Sequence, residues 1–170
     1  MYLQNYVGKY IQKDKKYGYQ STDLVDDYVR RLTRNKYETK FHARDTRYEK
    51  FPRSWKIIGG ISSFKTDDYR EGDIFVDKDA SSFGFNGIIL SNQDPHKVTV
   101  ITQNRSGKGT NPVEKHIYDK KNISYIVRPS QEDYILNFKK SYKEEKVTIT
   151  KQEYNKLVDA YNKLKDVLGK

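Results

Sequence analysis

The chain has 170 residues, of which 35% are apolar and 14% aromatic, enough for the core of one compact domain plus an extension. It carries a net charge of +10 and no cysteine, which excludes a disulfide framework, a thiolate nucleophile and cysteine-ligated zinc together. Residues 131–170 hold nine Lys/Arg and seven Asp/Glu, so the excess of +8 belongs to residues 1–130.

Leu3, Tyr6, Val7 and Tyr10 recur at helical spacing and predict a short first helix. The same stretch lacks the basic start and long apolar run of a signal peptide, and no segment approaches a membrane span. A cytoplasmic or virion-associated location is therefore expected.

A tight aromatic-glycine entry, Tyr17-Gly18-Tyr19-Gln20, leads into a second helix in which Leu24, Val25, Tyr28 and Val29 share one face. Ser21 stands where that helix begins. A serine there satisfies an orphan N–H as an N-cap, or occupies the place where exposed N–H groups and the helix dipole activate a nucleophile and stabilise an oxyanion.

Between Arg30 and Lys56, cations such as Arg31, Arg34, Lys40, Arg44, Arg47 and Arg53 alternate with Tyr37, Phe41, Tyr48, Phe51 and Trp55. Such interleaving suits a nucleic-acid surface. Because Glu38, Asp45 and Glu49 interrupt the run, the reading taken is that the rings are core and the cations their solvated neighbours. His42 in this segment is read as an ordinary polar residue. Beyond Gly59-Gly60 the pattern alternates as in an antiparallel sheet, with strands expected at 73–76, 87–90, 98–102, 116–118 and 124–127. His96 falls in a turn and His116 on a strand, without the neighbours a metal site needs. Arg105-Ser106-Gly107-Lys108-Gly109-Thr110 lacks the spacing and the following helix of a phosphate loop.

After Pro129 the character changes. Residues 131–149 read as a mixed connector. Thr150-Lys151-Gln152-Glu153 is then a capping box, and Tyr154, Leu157, Tyr161, Leu164 and Leu168 follow at spacings of three and four. This C-terminal amphipathic helix, 150–170, either folds back on the domain or forms a homodimer seam.

Six segments resemble, in order, the CHAP family, the cysteine, histidine-dependent amidohydrolase/peptidase domains of phage endolysins and bacterial cell-wall hydrolases. Tyr17-Gly18-Tyr19-Gln20-Ser21-Thr22-Asp23-Leu24 is similar to its nucleophile region, Tyr-Gly-Tyr-Gln-Cys-x-Asp-Leu. His42-Ala43-Arg44-Asp45 resembles its Asn-Ala-x-Asp, Gly72-Asp73-Ile74-Phe75-Val76 its Gly-Asp-hydrophobic strand, and Phe85-Asn86-Gly87-Ile88-Ile89-Leu90 its Gly-His-hydrophobic strand. Val98-Thr99-Val100-Ile101-Thr102-Gln103-Asn104 is similar to its Val-x-Val-x-Glu-Gln-Asn, and Ile123 to Pro129 to its closing strand.

The resemblance implies an α+β, papain-like CHAP-type fold over residues 1–130, with N-terminal helices on a five- or six-stranded antiparallel sheet. It also implies a phage or mobile-element product of a Gram-positive host. The catalytic set is degenerate: Ser21 stands at the nucleophile position, Asn86 at that of the imidazole base and Thr102 at the acidic position that orients it. An amide has no titratable nitrogen and cannot take the nucleophile's proton. The family's calcium loop is represented by Gln12-Lys13-Asp14-Lys15-Lys16-Tyr17-Gly18, where a carboxylate is missing and three lysines crowd the place of a hard cation.

No metal, no cofactor and no catalysis are therefore expected. The expected role is a pseudoenzyme that binds a macromolecule, through a surface comprising Lys15, Lys16, Tyr19, Arg44, Arg47, Gln103, Asn104 and Arg105. The partner is a host or phage protein, or alternatively an anionic wall polymer or nucleic acid held by the basic domain. A residual peptidoglycan amidase or endopeptidase using Ser21 is the third reading.

Overall fold

A computed structural model describes residues 2–13, 17–59 and 68–137, together with Lys156 and Asp159. Leu24, Val25, Tyr28, Val29 and Leu32 are all buried, and they make the apolar stripe that fixes helix α1, Ser21–Leu32. Its N-cap is Gln20, one residue before the serine expected to serve. The Gln20 N–H donates to Asp23 Oδ2 at 2.9 Å, so the acidic residue of the first turn satisfies the orphan donor and Ser21 is released from capping. At the other end Arg34 and Asn35 adopt φ of 52° and 62°, which stops the helix. The first helix expected at residues 3–10 is a single 3-10 turn, Leu3–Tyr6, followed by Gly8 at φ 82°.

Six strands form one antiparallel sheet: β1 (Lys56–Ile58), β2 (Ile74–Asp77), β3 (Phe85–Ser91), β4 (Lys97–Gln103), β5 (Val113–Asp119) and β6 (Tyr125–Arg128), in the order β1-β6-β2-β3-β4-β5. Five of them lie where alternation placed strands, each shifted or lengthened at its ends. β1 is additional and, among the described residues, pairs with β6 alone.

Side-chain alternation splits the sheet into two packed faces. Ile74, Val76, Ile88, Ile101, Val113 and Val127 share one cluster with the buried face of α1. Phe75, Ile89, Val98, Val100, Tyr118 and Ile126 form a second cluster on the far face. β2, buried along its length, belongs to both, so each of its apolar side chains is worth about 1.5–3 kcal/mol of burial.

Polar side chains pin this frame. The Tyr28 hydroxyl, buried in the core, donates to Gly72 O at 2.8 Å. Gly72 has φ 91°, and a Cβ there would stand 2.6 Å from the Tyr134 ring, so both conformation and space require glycine. Arg128 donates in a fork to Asp73, at 2.9 and 2.7 Å, and ties the entry of β2 to the end of β6. Burial pushes the Asp73 carboxyl up, while the guanidinium opposes it.

Beyond Pro129 the chain continues into a short helix, α2 (Gln131–Asn137), which packs back on α1. Trp55 Nε1 donates to Asp133 at 2.7 Å, Tyr134 OH to Glu71 at 2.8 Å and Asn137 Nδ2 to Leu32 O at 2.8 Å. Lys156 and Asp159 are helical and exposed, whereas Tyr154, Leu157, Tyr161, Leu164 and Leu168 lie outside the described residues. No helix among the described residues is long and apolar enough to cross a membrane.

Candidate functional site: a cleft at the start of α1

The turn that delivers the chain to α1 is held by the end of β4. Ile101 faces α1, so alternation puts Gln103 on that face as well, fully buried. Its Nε2 donates to Ile11 O at 2.7 Å and to Gln20 O at 3.0 Å, and its Oε1 accepts the Ile11 N–H at 2.9 Å. Asn104, at φ 59°, accepts the Gly109 N–H on Oδ1 at 2.5 Å and donates to Gln20 Oε1 at 3.2 Å. Gly109 O in turn accepts the Tyr19 N–H at 3.0 Å, and a Cβ on Gly18 would fall 2.6 Å from that oxygen. The approach is so close that only glycine fits.

Beside this turn opens a cleft of about 700 Å³. The first turn of α1 forms one wall, Thr39 to Ala43 another, and Phe83, Gly84 and Gly107 close the rim. Deep in the helical wall the Asp26 carboxylate is saturated. It accepts the Thr39 N–H at 2.6 Å, pairs with Arg30 at 2.7 Å, and lies 3.3 Å from Lys13 Nζ. Lys40 is likewise paired, with Glu38 at 3.0 Å. Ser21 is 8% exposed, its remaining surface opens to the cleft, and no hydrogen bond engages its hydroxyl among the described residues.

The other two positions of the expected catalytic set are not part of this cleft. Asn86 is 1% exposed and absent from the cleft lining. Its Nδ2 lies 3.4 Å from Thr46 Oγ1, and its Oδ1 has no partner among the described residues. Val98 and Val100 face away from α1, so alternation sends Thr102 to the far face too, against Gly87, with its hydroxyl donating to Asn86 O at 2.9 Å. The acidic position was expected at Thr102; the side chain that shares the α1 face is Gln103. Register, which sequence alone did not reveal, makes that difference.

The expected binding surface is dispersed. Gln103 and Asn104 are buried clamps, not surface. Tyr19 is half-buried with its ring 4.8 Å from that of Tyr10. Arg44 and Arg47 are exposed on a 3-10 turn (Ala43–Tyr48), where Arg44 donates to Ser82 O at 2.9 Å and Arg47 lies 5.0 Å over the Tyr125 ring. Arg105 is exposed, and Lys15 and Lys16 lie outside the described residues.

The sequence reading missed His42, Phe41 and Phe83 as cleft residues. Of the aromatics between Arg30 and Lys56, Trp55 is core, but Phe41 and Tyr48 are 53% and 69% exposed, so treating the set as core was wrong for these two. Phe83 carried no signal beyond being a large apolar residue in a polar turn. The His42 ring packs 4.7 Å from the Phe83 ring at the rim. Among the described residues no three His, Cys, Asp or Glu side chains group as metal ligands.

No family model matches this chain, and no curated protein matches it. Solved structures do. One is the wild-type endolysin LysIME-EF1, with a TM-score of 0.65 at 18% identity, covering 78% of this chain and 62% of that one. Another is Ly7917, with a TM-score of 0.54 at 15% identity, covering 74% and 59%. This chain thus spans about three fifths of the length of either neighbour. At such identities the likeness concerns the fold alone: an α+β domain with a six-stranded antiparallel sheet, built like part of an endolysin.

Proposed function

We propose that the chain is a catalytically degenerate, papain-like protein of CHAP type, encoded by a phage or mobile element, that binds a macromolecule at or near the bacterial wall without cleaving it. The observation that carries this reading is Asn86. At the position that corresponds to the family's base, the side chain is a buried amide whose oxygen has no partner among the described residues, and it does not line the cleft that Ser21 borders. A serine hydroxyl without a base stays protonated, and an amide leaving group without an acid is not expelled. The endolysin-like fold supports the wall as the setting.

Co-sedimentation with purified walls tests binding, and turbidity of the same suspension tests cleavage. The reading predicts sedimentation with the walls and constant turbidity. Clearing of the suspension would reject it.

Arg44 and Arg47, exposed together on one turn beside Tyr48, favour a second reading in which an anionic polymer is the ligand. That reading predicts that binding collapses between low and physiological salt; salt-independent binding rejects it.

A further inference from the structure

We infer that the open edge of β5 is an interface for a second copy of this chain, the two β5 strands pairing antiparallel about a twofold axis at Ile117. Such pairing is independent of whether the cleft at α1 carries any chemistry. The backbone and the side chains of the strand support it separately.

β5 ends the sheet, paired with β4 on one side and, among the described residues, with no strand on the other. The Val113 N–H donates to Lys9 O at 2.8 Å and Val113 O accepts the Gly8 N–H at 2.8 Å, so this residue turns its backbone away from β4. Alternation then turns Lys115, Ile117 and Asp119 outward as well. Past Asp119 the chain enters a 3-10 turn, Lys120–Asn122, and the Lys120 N–H turns back to His96 O at 2.9 Å. Between these two ends, the outward N–H and C=O groups of Lys115 and Ile117 have no backbone partner among the described residues. The open stretch is centred on Ile117.

The side chains favour a second copy as the occupant. Lys115, Ile117 and Asp119 share one face of the strand, and Ile117 is 58% exposed. Among the described residues no ion pair or hydrogen bond engages the side chain of Lys115 or of Asp119. The order Lys-x-Ile-x-Asp is its own complement when reversed. A copy running antiparallel about Ile117 sets each Lys115 against the other chain's Asp119 and Ile117 against Ile117. Sliding one strand by four residues sets like charge against like. Edge lysines commonly keep strands apart, but in this register the lysine meets a carboxylate. The two Ile117 residues exchange both backbone bonds, and each Asp119 N–H reaches the opposite Lys115 carbonyl. So short a pairing buries little area, and the dimer is weak and reversible.

The test is sedimentation equilibrium of the full chain at physiological salt, where repulsion between two basic copies is screened beyond about 8 Å. A monomer–dimer equilibrium is expected over about 10 μM to 1 mM. Lys115→Asp and Asp119→Lys should each weaken it at least tenfold, and the two together should restore it to within threefold. Because the chain has no cysteine, Ile117→Cys supplies a single thiol that meets its own copy. Under mild oxidation it should form disulfide dimers at least tenfold faster than Lys115→Cys, which faces Asp119 instead.

A chain that stays monomeric throughout overturns the inference. So does a dimer that survives both charge reversals, as one built on residues 150–170 would, and so does equal cross-linking at positions 115 and 117. Melting temperatures verify that each variant is folded. None of these outcomes touches the non-catalytic reading, which only release of wall fragments rejects.

Discussion

The turn into α1 and the buried centre of β3 handle polar side chains in opposite ways. In the turn every amide is used: Gln103 makes three hydrogen bonds within 3.0 Å, and Asn104 bridges two loops. In β3, Asn86 is buried just as deeply, has one long side-chain contact among the described residues, and leaves its Oδ1 without a partner there. A buried amide that holds backbone is indispensable to the fold. One whose oxygen is left unsatisfied costs the fold its desolvation.

The contrast breaks most visibly at Gln103. Gln103→Ala strands the Ile11 N–H and two carbonyls in the interior, and should cost about 3 kcal/mol in denaturant unfolding. A loss below about 1 kcal/mol would mean that the clamp does not hold the turn. Asn86→Val removes a buried amide whose oxygen is unmet and should change stability by no more than about 1 kcal/mol, with stabilisation the expected sign. A large loss would reveal partners for Asn86 that the contrast denies.

The pH dependence at β5 is smaller still. His116 is held below its ordinary value of 6.5 by burial and then by the nearby Arg105, with Glu114 opposing. Its folded pKa is depressed, so the unfolded chain takes the proton first. Its contribution to stability is therefore complete above pH 6.5 and is lost as pH falls below it. His116→Gln should flatten that part of the stability curve, as read from melting temperatures between pH 7 and 5. An unchanged slope contradicts the assignment.

Periodicity made α1 and five of the strands legible, because Leu24 to Leu32 and the alternating runs each carry their own burial pattern. β1 was not legible: Lys56-Ile57-Ile58 is a strand only because β6 lies beside it, seventy residues away in the chain. The cleft was half legible. Ser21 could be placed at a helix start from local pattern, but whether Thr102 or Gln103 shares the α1 face depends on how the strand is set in the sheet, and Phe41 and Phe83 look like core residues until the fold leaves them at a rim.

The central claim, a cleft without chemistry, is tested most directly by mass spectrometry of soluble fragments released from purified walls, with the unmodified protein and with Ser21→Cys. Restoring a thiol supplies a nucleophile of pKa ~8.5 before any shift by the helix, yet position 86 holds an amide, which is no proton donor for the leaving amine, and the imidazole of the cleft, His42, is packed on the Phe83 ring at the rim. The account predicts no fragments above the buffer control from either protein. Fragments released by the unmodified protein, at a rate that Ser21→Ala abolishes, would contradict it.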